Sequence, residues 1–204
     1  KIMEFSGRRF YDGSLRADSS VADHTLADLL PADHDLSASG PSWLLEALAP
    51  EEPINFLDTV GLNAEERQRP GSTSRENPAE AEIVSRIADR LTPHLSAKKI
   101  GIISPYDDQI DLLNSRIDEE NLEVKTVDGF QGREKEVIII SFVRSNRKEQ
   151  LGFLTDVRRL NVSLTRARRK LIMVGDSETL RTQDTYEELI KFVEANDFYT
   201  MIND

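Results

Sequence analysis

An α/β fold, with a mostly parallel sheet and helices on both faces, is predicted for this chain by three observations. Two short apolar runs, Val137 to Val143 and Leu171 to Val174, are bounded by turn signals, as suits strands buried on both faces. A glycine-bearing turn, Gly129-Phe130-Gln131-Gly132, precedes the first run, and an arginine-dense segment lies between the two. Polar and cationic residues gathered at strand ends predict a ligand crevice at the carboxyl edge of such a sheet.

The remaining elements follow in order. Ile2 to Tyr11 reads as a short helix leading to a turn at Asp12-Gly13. Residues 17–50 are acidic and rich in small residues, with a break at Ser37 to Pro41, and Trp43, Leu44, Ala47 and Leu48 share one face of a helical turn or two. That part carries no assignable chemistry. Ile54 to Val60 reads as a strand, and the polar stretch from Asn63 to Arg75 as a partly disordered loop. Asn77-Pro78-Ala79-Glu80 is a helix start: Asn caps, Pro takes the first position, and Glu reaches back to the cap amide. Ile83, Val84, Ile87, Ala88 and Leu91 continue one apolar face.

Ile100 to Ile103 forms the next buried strand, and Ser104-Pro105-Tyr106 leaves it, with Asp107 or Asp108 capping a helix that carries Ile110, Leu113 and Ile117. Lys125 to Val127 is a strand delivering Asp128 to Gly132 to the same edge. Thr155 or Asp156 caps a helix with an apolar stripe of Val157, Leu160, Leu164 and Ala167. Arg159, Ser163 and Arg166 share one flank of that stripe, and Arg158, Asn161, Thr165 and Arg168 the other. Guanidinium forks there suit phosphate oxygens, whereas Arg168 and Arg169 by themselves are read as cations extending into solvent. Ser177 to Glu194 closes the chain as one helix, with Tyr186, Leu189, Ile190 and Val193 facing the sheet.

Composition sets outer bounds. A chain of 204 residues can bury a sizeable core and is expected to be one domain, residues 1–204, with 1–50 peripheral and 51–204 the core. The absence of cysteine excludes a disulfide framework, and the scattered His24, His34 and His94 do not make a metal cluster. No apolar run is long enough to cross a bilayer and the start lacks a signal-peptide pattern, so a cytoplasmic (or nuclear) protein is expected. The net charge of −11 opposes simple electrostatic attraction to nucleic acid. Arginines collected at one edge, with acids on outward faces, would reconcile the two.

The order of these parts resembles the second motor domain of superfamily 1 helicases, in the branch of the nonsense-mediated-decay RNA helicase and its relatives. VDGFQGREKEVIIISFVRSN, residues 127–146, is similar to that family's motif V, and RRLNVSLTRAR, residues 158–168, to its motif VI. Ile102 to Gln109 is similar to motif IV, GSTSRENPAEAE at 71–82 to the segment before it, and the opening 17 residues to those after the family's glutamine-tyrosine-arginine-methionine motif. The resemblance covers nearly the whole chain, weakest from Asp18 to Glu52. Arg75 departs from the pattern, standing where relatives often carry an aromatic.

The resemblance implies a RecA-like domain, related to P-loop NTPases but without a phosphate loop. Arg166 is then the arginine finger, reaching the γ-phosphate of ATP held by another domain. Gly132, Glu134, Gln131 and Arg159 face the nucleotide. Glu134 holds the ribose or organises the arginines, against the plainer alternative of pairing with Arg133 or Lys135 on a solvated turn. Gln131 is either a phosphate-sensing relay or a turn-stabilising amide. Ser104, Pro105, Tyr106, Thr126 and Asp128 touch the backbone of a single strand, DNA or RNA, although a ring simply packed on its loop is an equal reading of Tyr106. Neither a phosphate loop nor an acidic pair for Mg²⁺ occurs here, so both ATP and Mg²⁺ are expected to be held mainly by the family's first motor domain. The chain is expected to be part of a longer helicase and inactive alone. A non-catalytic RecA-like interaction module, and an ATP-driven remodeller or nuclease-linked translocase, are the alternatives.

Overall fold

The computed structural model describes residues 1–15, 18, 20–36, 39–62, 64–130 and 132–203. Six parallel strands form one sheet: β1 (Ile54–Asp58), β2 (Ile100–Ser104), β3 (Glu123–Thr126), β4 (Lys135–Ser141), β5 (Ala167–Gly175) and β6 (Tyr199–Met201), in the order β3-β2-β4-β5-β1-β6. Side chains alternate along each strand. In β4, Val137 and Ile139 join one core with Ile100, Ile102, Ile172 and Val174, while Ile138 and Ile140 join a second with Ile103, Phe56 and Met173. The continuous isoleucine run is thus the signature of a strand buried twice.

The first core is covered by α2 (Ser42–Ala47), α3 (Pro78–Leu91) and α4 (Asp107–Arg116), the second by α1 (Ile2–Phe10), α5 (Val157–Leu164) and α7 (Asp184–Ala195). Trp43 is 6% exposed and packs inside, with Leu26 and Leu36 beside it.

Several boundaries differ from expectation. The arginine-bearing helix ends at Leu164, and Ala167 opens β5, so Arg168 and Arg169 lie in a strand. The last helix is two: α6 (Ser177–Leu180), capped by Asp176, and α7, which restarts because the Gln183 side chain accepts from the amides of Thr185 and Tyr186. Strand β1 stops at Asp58, whose carboxylate accepts from the Val60 and Ser177 amides and draws the chain into a turn. Helix α4 lacks a side-chain cap; Asp107 and Asp108 sit in its first turn, after Tyr106. The stretch expected to be partly disordered is pinned between Arg67 and Glu76 by a backbone bridge, with the Glu76 carboxylate held by Arg67 at 2.7 Å and by Arg69. Strand β6, short and polar at the sheet's edge, is an element the sequence did not signal.

The connection from β3 to β4 decides where the chemistry goes. Between Thr126 and Lys135 the chain leaves the carboxyl end of β3, passes over β2, and enters β4 at the opposite, amino edge. Phe130 is the pivot, fully buried on top of Gly101, where an added Cβ would lie 2.5 Å from Cζ of the ring. Glycine at 101 is therefore a space requirement. Gly101→Ala is expected to lower stability by ~2 kcal/mol through overpacking, read as a fall of several degrees in the melting temperature.

Candidate nucleotide and strand-binding edges

Two groups of candidate residues, placed by sequence at one carboxyl edge, lie at opposite edges of the sheet. The amino edge holds Arg166, in the turn between α5 and β5. Its Nε donates to the Val162 carbonyl at 3.1 Å, Nη2 to Thr165 Oγ1 at 3.2 Å, and Nη1 reaches the Arg133 carbonyl at 3.5 Å. The Arg166 carbonyl accepts from Lys135 N at 3.0 Å, tying the turn to the start of β4. These contacts aim the guanidinium without neutralising it: among the described residues no carboxylate comes within ion-pair distance.

Its neighbours are paired. Arg168 Nε lies 3.0 Å from Glu134, and Arg169 bridges Glu136 at 3.0 Å and Asp28 at 2.6 Å. Neither cation simply extends into solvent, because β5 carries both past the acidic start of β4. Glu134 does not pair with Arg133 or Lys135. Those two share Glu123, Lys135 at 2.7 Å, and the Lys135 hydrogen bond is the largest effect lowering that carboxyl's pKa.

Arg166, Arg168, Glu134 and Glu136 border a cavity of about 1010 Å³, whose other walls include Ile2, Tyr11, His24, Glu51 and Phe198. Gly132 is exposed at φ +76°, a conformation that favours glycine, and a Cβ added there would meet nothing within 4 Å beyond its chain neighbours. Gln131 lies outside the described residues.

The carboxyl edge holds Ser104, Pro105, Thr126 and Asp128. Arg159 is here too, its Nη2 3.0 Å from Asp128 Oδ2. Helix α5 runs from Arg159, near its start, to Leu164, spanning roughly 8 Å, and the turn after it sets Arg166 at the other edge. Thr126 is half-buried and Asp128 exposed. Ser104 is fully buried with an unpartnered Oγ.

Of the two readings of Tyr106, the ring packed on its loop matches the geometry. Its ring is 2% exposed, and its hydroxyl donates to the Leu151 carbonyl at 3.3 Å while accepting from Arg144 Nη1 at 3.1 Å and from the Phe153 amide at 3.3 Å. The hydroxyl is buried and occupied, so Tyr106 anchors the 144–153 loop.

Behind this edge lies a buried polar hub that pattern reading missed. Glu80 does not reach back to the cap amide, because Gln109 Oε1 takes Asn77 N at 2.8 Å. Its Oε2 instead accepts from Ser141 Oγ at 2.7 Å and from Val143 N at 2.8 Å. Asn77 Nδ2 donates to the Val143 carbonyl at 3.2 Å. Val143, a β-branched residue at φ +72°, is thereby held at both polar atoms. Burial pushes the Glu80 carboxyl up to about 8, with nearby Asp176 and Glu66 adding to the rise. Next in the chain, Arg144 Nε stands 3.0 Å from Glu66 but off the N–H axis, an attraction of charges without a hydrogen bond. Asn-Pro-Ala-Glu predicts a cap; only the partners across the fold reveal the second task.

A family model described as "AAA domain" matches residues 1–178. The chain belongs to that family. This AAA-domain chain is 39% identical over 197 residues to an uncharacterized ATP-dependent helicase of Methanocaldococcus jannaschii, a match covering 96% of the chain and 28% of the relative. It is 37% identical over 194 residues to the DNA-binding protein SMUBP-2 of Rattus norvegicus, covering 94% and 18%. It is 40% identical over 188 residues to the DNA polymerase alpha-associated DNA helicase A of Saccharomyces cerevisiae, covering 89% and 26%. The AAA-domain chain spans less than a third of each relative's length. These matches agree with the resemblance to the second motor domain of superfamily 1 helicases. No helix among the described residues is long and apolar enough to cross a membrane, and no cluster of His, Asp and Glu there could hold a metal ion.

Proposed function

We propose that this AAA-domain chain is the second motor domain of an ATP-dependent helicase or translocase. It supplies Arg166 to the γ-phosphate of ATP bound against a first motor domain, and inactivity alone follows from that division of labour. The observation that carries the reading is the Arg166 guanidinium, aimed by three hydrogen-bond acceptors and left without a carboxylate beside a large cavity. Such a fork suits phosphoryl oxygens. Gly132, with its open backbone, suits an approaching anion, and Glu134 fixes Arg168 beside the finger. Magnesium is assigned to the first domain.

Single-stranded nucleic acid, DNA or RNA, is assigned to the carboxyl edge, at Pro105, Thr126, Asp128 and Arg159. Ser104 serves it through the backbone, since its hydroxyl is buried. Putting fuel and track at opposite edges lets closure on ATP shift the grip on the strand. The test is ATP hydrolysis by the full-length protein: single-stranded DNA or RNA is expected to raise the rate at least tenfold, and a rate indifferent to both would reject the reading.

A further inference from the structure

Phe153 stands out on the carboxyl edge. It is 54% exposed, the most exposed large apolar side chain among the described residues, yet the backbone beneath it is fixed from several sides. Its amide donates to the Tyr106 hydroxyl at 3.3 Å, and its ring leans on the Tyr106 ring at 5.4 Å and 48°. Gly152 before it has φ +55°, and a Cβ there would fall 2.4 Å from Arg144 Nη1 and 2.7 Å from the Tyr106 oxygen. Leu154 after it is buried. Asn146 closes the loop below, donating to the Gln150 carbonyl at 2.9 Å and accepting from its amide at 3.0 Å. The fold therefore presents the Phe153 ring to solvent on a base built from Tyr106, Arg144 and Gly152.

Phe153 shares a cleft with Pro105 and Arg159, and Arg159 pairs with Asp128 on the open surface. An exposed pair of that kind is weak, so an incoming phosphate can displace Asp128 from the guanidinium. A flat apolar face beside a displaceable cation matches the alternation of base and phosphate along a single strand.

We propose that Phe153 is a stacking platform for one base of the bound strand. The proposal rests on the single-strand reading of this edge. Stacking needs only the π-face, so the platform is indifferent to sequence.

The experiment uses the full-length protein and measures equilibrium binding, by fluorescence anisotropy, of a short oligo-dT and of the same strand made abasic. Phe153→Ala is expected to weaken oligo-dT binding roughly tenfold, to leave abasic binding unchanged, and to keep the slope of affinity on salt, because no phosphate contact is removed. Phe153→Trp is expected to restore binding. Undiminished oligo-dT binding by Phe153→Ala would overturn the platform alone. Equal losses on both strands would also overturn it, marking the ring as a support for the loop or a contact to the first motor domain. Failure of the wild type to bind either strand would overturn the functional reading, and the platform with it.

Discussion

Replacing Arg166 by alanine is expected to lower the strand-stimulated kcat of the full-length protein by about 10³-fold or more, the range in which arginine fingers act. That corresponds to about 4 kcal/mol of transition-state stabilisation. The KM for ATP is expected to move much less, because the charge the guanidinium meets grows as the γ-phosphoryl group is transferred. Arg166→Lys should recover only a small part of the loss, since an ammonium on a flexible stem does not reproduce the fork held by Val162, Thr165 and Arg133. A kcat for Arg166→Ala within a few fold of wild type would reject the assignment.

The neighbouring arginines give the prediction its resolving power. Arg168 and Arg169 are engaged by Glu134, Glu136 and Asp28. Removing either leaves carboxylates unpaired at the amino edge and should act through that rearrangement, with a smaller loss than Arg166→Ala. Arg159 lies with Asp128 at the other edge, so Arg159→Ala should weaken strand binding before it touches the chemical step. A ranking of kcat losses that placed Arg159 above Arg166 would contradict the separation of the two edges.

That separation is also where sequence reasoning stopped. Strands β2, β4 and β5 were legible because isoleucine and valine buried on both faces leave uninterrupted apolar runs. Helix α3 was legible because Asn77 and Pro78 fix its start locally. The direction of the chain between Asp128 and Lys135 was not legible. It depends on Phe130 lying over Gly101, a contact between residues far apart in sequence, and that crossing carries Glu134 to the amino edge while Asp128 stays behind. The Thr165-Arg166 turn was hidden for a related reason: the apolar spacing of Leu160, Leu164 and Ala167 continues as a helix on paper, while the backbone turns after Leu164 to begin β5. The exposure of Phe153 had no signal in the sequence, since only packing decides that Tyr106 is buried while Phe153 stands in solvent.

The Glu80 hub yields the second large effect. In the folded chain its carboxyl titrates near 8 rather than near its ordinary value of 4.5, chiefly because burial penalises the charge more than Ser141 and the Val143 amide reward it. The folded state thus keeps a proton that the unfolded chain releases. The associated stability is complete below about pH 4.5 and falls as pH rises toward about 8. The slope approaches about 1.4 kcal/mol per pH unit inside that window. Lys170 works against this at the upper end. It is buried, donates to the Ala49 and Glu52 carbonyls and to Asn55 Oδ1, and burial lowers it to about 7. Its stability is present above its ordinary value of 10.5 and is lost as pH falls through about 7. The wild-type profile therefore mixes the two, but the difference between wild type and Glu80→Gln isolates the carboxyl, since Lys170, Asp176 and Glu66 are common to both chains. Urea unfolding between about pH 5 and pH 8 is expected to show a declining stability in the wild type that Glu80→Gln flattens. Glu80→Ala should instead cost about 3 kcal/mol at about pH 5, because Ser141 and the strained Val143 amide lose their acceptor, and that cost should shrink toward pH 8 as the wild type loses the stability of its protonated carboxyl. Parallel profiles for wild type and Glu80→Gln would show that the carboxyl is not held protonated.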